Sequence, residues 1–314
     1  SSSEEKAEIL NHQFTSVFGV KNSLPTPDIQ WSFPRMEEIT FSDEGIKNLL
    51  MKLDERKSKG PDNISAMLLK TLAPELSPAL TVLFQATLHC GEIPDDWKHA
   101  KVTPIYKKGD RALAENYRPV SLTSILCKTA EHVITSQIHQ HLDLHKALNN
   151  AQHGFRKYRS CETQLLLTTN DLHQSLEENG QSDVILLDFS KAFDKVPHSL
   201  LLQKLKYYGI NPTVTKWISA FLSARTQEVL VEGKSSTTTD VTSGVPQGSV
   251  LGPLLFLLYI NDLPDYVTNG STVRLFADDA VIYRSIQSEK DSELLQQDLD
   301  DLLRWETEWG MKFH

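Results

Sequence analysis

Cysteine is scarce in this 314-residue chain, and what there is does not pair. Cys90, Cys127 and Cys161 are odd in number, far apart and never in a C-x-x-C arrangement, which excludes a disulfide framework and a cysteine-based zinc site. Long apolar runs are missing as well. The longest, residues 250–260, falls short of the roughly 20 residues that cross a bilayer. No apolar h-region and no initiator methionine open the chain, so its start, "SSSEEK", suggests a piece of a longer polypeptide held in a reducing compartment, nucleus or cytoplasm. Positive charge is in deficit: 32 Lys and Arg against 41 Asp and Glu give a net charge of -9, unlike a protein that coats nucleic acid over its whole surface. The eleven histidines show no metal-ligand spacing, and there is no internal repeat or low-complexity tract.

What is present is the composition of a globular chain, 39% hydrophobic and 23% charged, long enough for about two domains. The positive charge it has is clustered. Lys98, Lys101, Lys107, Lys108, Arg111 and Arg118 fall in one stretch whose only acids are Asp110 and Glu115, and Arg156, Lys157 and Arg159 follow. Tyr106, Tyr117, Phe155 and Tyr158 lie among them, a mixture that suits a solvated surface or a nucleic-acid-binding face about equally.

Periodicity and punctuation predict the elements. A helix over 5–18 and a proline-marked linker, "LPTP" at 24–27, make a peripheral arm out of residues 1–35. Ser42 caps a helix to residue 53, a second helix follows the loop 60–63, and a third over 76–90 stops at Gly91. "KVTPIYKK" is a short strand with a basic tip, and 120–142 reads as mostly helical. A helix over 165–176 closes at 177–180. "DVILLDFS" then holds four apolar residues in a row, a strand buried on both faces and ended by Asp188. Helices over 200–208 and 214–222, a hairpin around "QEVLVEG", and a Gly-Pro loop opening the apolar helix of "SGVPQGSVLGPLLFLLYINDLP" come next. Residues 273–284 form a second hairpin, and Leu295, Leu299, Leu302, Trp305 and Trp309 make one stripe of a last helix.

That second hairpin carries "FADDAVIY", which sets Asp278 and Asp279 side by side at the turn. Two carboxylates so close repel and raise each other's pKa unless cations neutralise them. Magnesium suits the task, being a hard ion that takes one or two protein carboxylates and leaves room for substrate phosphates. A solvent-exposed acidic turn is the plain alternative for a lone Asp-Asp. Asp188, however, ends another strand, where its side chain leaves the sheet at the rim. Three acids from two strand ends make a cradle for two ions about 3.5–4 Å apart, the arrangement used for in-line displacement at phosphorus. Asp194 reads instead as a cap on the following helix.

In order along the chain, "LLDFSKAFDKVPHSLLLQKLKYYGI", "SGVPQGSVLGPLLFLLYINDLP" and "FADDAVIY" resemble motifs A, B and C of the reverse transcriptases of non-LTR, LINE-type retrotransposons. Upstream, "KGPDNISAMLLK", "IPDDWKHAKVTPIYKKGDRALAENYRPVSLTS" and "AQHGFRKYRSCETQ" resemble finger segments of the same family, so the likeness covers about residues 40–313. It implies an α/β (α+β) right-hand polymerase fold with fingers over 36–180 and a palm over 181–314, an antiparallel sheet backed by helices. It also implies an RNA-directed DNA polymerase that works with two Mg2+ ions (or Mn2+), an RNA template, a DNA or RNA primer and dNTPs.

By the same resemblance, Asp188, Asp278 and Asp279 correspond to the catalytic, metal-binding triad, and Phe193 to the aromatic residue beneath the sugar that disfavours a ribose 2′-hydroxyl. Without the motif, Phe193 reads as core. Gln247 and Gly248 match the loop lining the incoming nucleotide and template, with Gly244 and Gly248 permitting close backbone approach. Arg118, Lys128 and Arg156 lie in finger segments that reach the triphosphate and template, although Arg118 reads equally as a buried arginine holding the Pro119 turn. "WGMKFH" falls inside motif D, where Lys312 is a candidate general acid and His314 replaces the usual Asn. The thumb and an endonuclease are expected outside this sequence. The intact acids favour a polymerase. The alternatives are a catalytically silent retroelement remnant that binds RNA or a protein partner, and a metal-dependent phosphohydrolase, for which "GVPQGSVLGP" has no evident task.

Overall fold

A computed structural model describes residues 2–19, 33–177 and 180–313. Its first elements are the helices α1 (Ser3–Thr15), α2 (Asp43–Met51), α3 (Ala66–Thr71), α4 (Ala73–Cys90) and α5 (Asp95–Lys98), followed by strands β1 (His99–Tyr106) and β2 (Tyr117–Leu122). Helices α6 (Ile125–Leu144) and α7 (Cys161–Glu177) lead to β3 (Gln181–Asp188), then α8 (Ala192–Lys195), α9 (His198–Tyr207) and α10 (Pro212–Leu222). The last part holds β4 (Arg225–Val231), β5 (Lys234–Ser235), β6 (Thr239–Val241), α11 (Leu251–Ile260), β7 (Thr272–Phe276), β8 (Asp279–Ile286) and α12 (Glu289–Trp309). Two compact units emerge, one of Ser1–His145 with Phe193–Pro253, the other of Lys146–Ala192 with Leu254–His314. Each takes two separate stretches of chain, whereas the sequence reading divided the chain into the continuous segments 1–35, 36–180 and 181–314.

The first unit is organised by a five-stranded sheet in the order β2-β1-β4-β5, with β6 also on β4. Strand β1 runs antiparallel to β2 and parallel to β4, pairing His99 with Thr226 and Val102 with Val229. The "QEVLVEG" hairpin is therefore part of the "KVTPIYKK" sheet. Residues 120–122 belong to β2, not to the helix expected there. That helix starts only at Ile125, where the Ser124 hydroxyl accepts the Cys127 N–H at 3.3 Å, and Pro119 favours extended backbone just before it. Nor is the opening helix a peripheral arm. Leu10 and Phe14 pack with Val102 and Val229, and the buried Asn11 amide donates to Thr237 O and Thr239 Oγ1 and accepts from Gln227. The linker at 24–27, the closing residues 178–179 and His314 lie outside the described residues.

The second unit holds a three-stranded antiparallel sheet in the order β3-β8-β7. Helix α11, which belongs to this unit from Leu254 onward, is apolar all round and buried, as such a helix must be. Helix α12 turns Leu295, Leu302, Trp305 and Trp309 inward, and a fully buried Asp298 shares that face. Its carboxylate accepts the N–H groups of Asn269 and Ser271, fixing the approach to β7. One expectation fails at β3: Leu186 is 81% and Val184 44% exposed, so the strand is covered on one face only. On that open side α7 meets the sheet through polar groups, with Asp171 bound to Arg274 at 2.6 Å and to the Tyr283 hydroxyl, while Leu165, Leu166 and Leu176 point away.

Candidate active site

The acids of the second unit come together by strand register. Asp188, the last residue of β3, is the Cα partner of Asp279, the first of β8. Directly opposed residues of an antiparallel pair share a face, with Cβ atoms about 4.5–5.5 Å apart. Both carboxylates are exposed, at the rim where the sheet ends. The turn is shifted by one from the sequence reading. Phe276 pairs with Asp279, so its two loop residues are Ala277 and Asp278, and Ala277 takes φ +55°. Asp278 thus stands beside the opposed pair.

Among the described residues no three carboxylate, imidazole or thiol groups already converge on a metal-sized point. The donor set nevertheless fits magnesium: all hard oxygens, two opposed and one adjacent, on an open rim where substrate oxygens and water can complete the coordination. Two like charges directly opposite each other destabilise a sheet, and a divalent ion removes that cost.

Several residues fix this rim. The segment after Asp188 is tied down by an antiparallel bridge between Phe189 and Phe313, whose rings stack at 4.6 Å, and by Ser190 N–H on Lys312 O at 2.9 Å. Lys312 is thereby held by its backbone next to the end of β3, with its side chain exposed. On the other side, Gln152 reaches the turn: its Oε1 accepts Ala277 N–H at 2.9 Å and its Nε2 donates to Ala277 O at 3.2 Å. Sequence reasoning passed over Gln152; the one signal was its place in "AQHGFR", two residues before a glycine. Arg156 uses its Nη1 on the carbonyls of Leu148 and Asn149, which shapes the loop leading to Gln152.

The remaining predicted residues lie in the first unit. Gly248 has φ +107°, and a Cβ there would sit 2.5 Å from Ser121 O. Ser121 N–H also donates to Gln247 O at 2.8 Å, so this loop rests directly on β2. The Gln247 side chain donates to Asp194 Oδ1 at 3.0 Å. Asp194 is accordingly no cap: α9 starts at His198 without a side-chain cap, and the carboxylate orients Gln247 instead. Phe193, half-buried in α8, accepts Val245 N–H at 2.7 Å through its carbonyl. Phe193, Gln247, Gly248 and the strand bearing Arg118 are thus brought together. Arg118 is exposed on β2, not a buried turn-holder. Lys128 is half-buried on α6; burial lowers its pKa, and Glu131 partly opposes this. Glu131, unforeseen from the sequence, is fully buried and accepts Val250 N–H at 2.7 Å and Leu251 N–H at 3.0 Å, capping α11 just beyond the Gln247 loop.

Residues 105–314 match the family described as reverse transcriptase (RNA-dependent DNA polymerase). The chain belongs to the reverse transcriptase family. Similar proteins from Drosophila melanogaster include the RNA-directed DNA polymerase from mobile element jockey, 31% identical over 303 residues, which are 94% of this chain and 32% of that protein. The probable RNA-directed DNA polymerase from transposon BS is 32% identical over 309 residues, 93% of this chain and 32% of that protein. That from transposon X-element is 29% identical over 278 residues, 85% and 30% respectively. This reverse transcriptase chain spans about a third of the length of those relatives, all proteins of non-LTR elements, in agreement with the resemblance read from its motifs. No helix among its described residues is long and apolar enough to cross a membrane.

Proposed function

We propose that this chain carries the nucleotidyl-transfer centre of an RNA-directed DNA polymerase, extending the 3′-hydroxyl of a DNA or RNA primer with dNTPs along an RNA template. The observation that supports it most directly is Asp188 opposite Asp279 in register, with Asp278 next to them on the turn. Asp188, Asp278 and Asp279 are the residues that would hold the metal. Two magnesium ions held there, or manganese in their place, would supply Lewis acidity for deprotonating the primer hydroxyl and neutralising charge on the transferring phosphoryl group.

The protein's own part is placement. Strand pairing holds two carboxylates on the same face of one rim, so that their placement is supplied by the fold rather than by the reaction. Arg118, projecting from β2, is suited to a triphosphate oxygen, with Lys128 a second cation in the same unit. By the motif resemblance, Gln247, which Asp194 orients within the first unit, and Gly248 correspond to the residues that line the nucleotide, and Phe193 to the one beneath its sugar. Lys312, exposed, is the residue that would give a proton to the departing pyrophosphate. In this reading residues 36–180 supply the fingers, and 181–314 the palm, whose acid-bearing strands are β3 and β8.

Primer extension on an RNA template tests it. Asp278→Ala is expected to lower incorporation about 1,000-fold, the loss of several kcal/mol of transition-state stabilisation. Equal incorporation by the parent chain and Asp278→Ala overturns the reading.

A further inference from the structure

The acid-bearing turn has an unfavourable backbone. Its loop residues are Ala277 and Asp278, and a two-residue hairpin loop that begins with positive φ ordinarily has glycine there. Alanine at φ +55° costs about 1 kcal/mol in intrinsic preference. Strain of this kind persists only where surrounding structure over-determines it, and here the structure that does so is identifiable.

Residues 151–153 run along the outer edge of β7. Leu275 N–H donates to Ala151 O and His153 N–H to Leu275 O, both at 2.9 Å, so that Gln152 forms a parallel bridge with Leu275. From that position the Gln152 side chain extends past the end of β7 to Ala277. It replaces the missing strand neighbour: Oε1 takes the Ala277 N–H at 2.9 Å, and Nε2 gives to the Ala277 carbonyl at 3.2 Å. Oε1 also accepts Gly154 N–H at 2.7 Å. Two N–H donors converging on one amide atom require that atom to be the oxygen, which fixes the orientation of the amide. Gln152 is 3% exposed, so each of these bonds stands clear of competing water. Gly154 closes the arrangement, because a Cβ there would lie 2.2 Å from Ala277 N.

We propose that Gln152 is a positioning residue for the metal-binding acids: by gripping both backbone polar groups of Ala277 it holds the left-handed turn that aims Asp278 and Asp279 toward Asp188. Ala277 is the residue through which any rotation of the turn reaches Asp278. This rests on the metal-site reading above. Residues that orient metal ligands without touching the ion typically carry about 10–100-fold of the affinity.

Mn2+ binding to the full chain, titrated by electron paramagnetic resonance without nucleic acid or nucleotide, tests the proposal. Four variants are compared with the parent. Gln152→Met keeps the volume and loses all three hydrogen bonds. Gln152→Glu keeps an oxygen to accept the Ala277 and Gly154 N–H groups and loses the donor to Ala277 O. Ser175→Ala removes the hydroxyl contacts to Ser182 and Ser285 in the same unit away from the turn, and Asp278→Ala removes a ligand. Expected are a loss of about tenfold or more for Gln152→Met, an intermediate loss of about threefold for Gln152→Glu, and parent-like binding for Ser175→Ala.

Parent-like Mn2+ affinity in Asp278→Ala defeats the metal-site reading itself. Loss in Asp278→Ala with parent-like affinity in Gln152→Met defeats the positioning role alone. So does an equal loss in Ser175→Ala, which marks general loosening of the unit. Melting curves report folding. If Gln152→Met does not fold, Gln152→Glu decides, and its parent-like affinity overturns the proposal.

Discussion

Asp188 and Asp279 face each other across an antiparallel pair at the sheet rim, an opposition of like charges that a fold selected only for stability has no reason to keep. Asp279→Asn removes the repulsion and is expected to stabilise the chain by about 0.5 kcal/mol in metal-free buffer, read as a higher urea midpoint at unchanged slope. The same variant is expected to lose primer extension. Unchanged or lower stability in the absence of metal contradicts the account of the pair.

Gly154 is placed where its backbone abuts the turn. Gly154→Ala forces a methyl group against Ala277 N, a backbone atom that cannot swing aside. The expected cost is about 3 kcal/mol, at the upper end for overpacking, seen as a lower melting temperature. A loss within about 0.5 kcal/mol, the range of ordinary surface substitutions, disproves the close approach.

Glu131 caps the start of α11, whose first residues belong with it to the first unit. Glu131→Ala leaves the buried N–H groups of Val250 and Leu251 without their acceptor and is expected to destabilise by about 3 kcal/mol. Glu131→Gln retains a carbonyl acceptor and is expected to recover more than half of that. Equal loss in both variants indicates that the charge, rather than the acceptor, matters.

His198 links the first unit to pH. Its Nε2–H donates to Gly244 O at 2.7 Å, and burial lowers its pKa from the ordinary 6.5, with the Gly244 bond partly opposing. A lowered folded-state pKa means that the unfolded chain takes up the proton first. The resulting stability is complete above the unfolded value and declines as pH falls below about 6.5 toward the folded one. His198→Asn is expected to show a smaller drop in melting temperature between pH 7 and pH 5 than the parent. An identical drop removes His198 as a contributor.

The acids and their convergence were legible because the signal was local on both sides: an apolar run ending in Asp188, and an apolar hairpin interrupted by Asp278 and Asp279. The position of the turn slipped by one since Asp tolerates positive φ better than Ala does, yet Gln152 places the strain on Ala277. Strand β2 was missed because only five residues separate Pro119 from the start of the helical pattern at Ile125, and the parallel pairing of His99 with Thr226 leaves no trace in periodicity. Asp194 resembled a cap by its distance from His198, while its partner Gln247 is remote in sequence. Gln152 carries no local signature beyond its place two residues before Gly154, as glutamine is ordinarily a surface residue and its target lies 125 positions away.

The second unit is assembled from two visits of the chain, and this bears on where the gene can be cut. A fragment begun at residue 181, the natural choice from motif order, would encode every aspartate of the triad while discarding α7 and the strip from Ala151 to Gly154 that braces their hairpin. Such a clone would look complete in an alignment and arrive with its acidic tip unsupported.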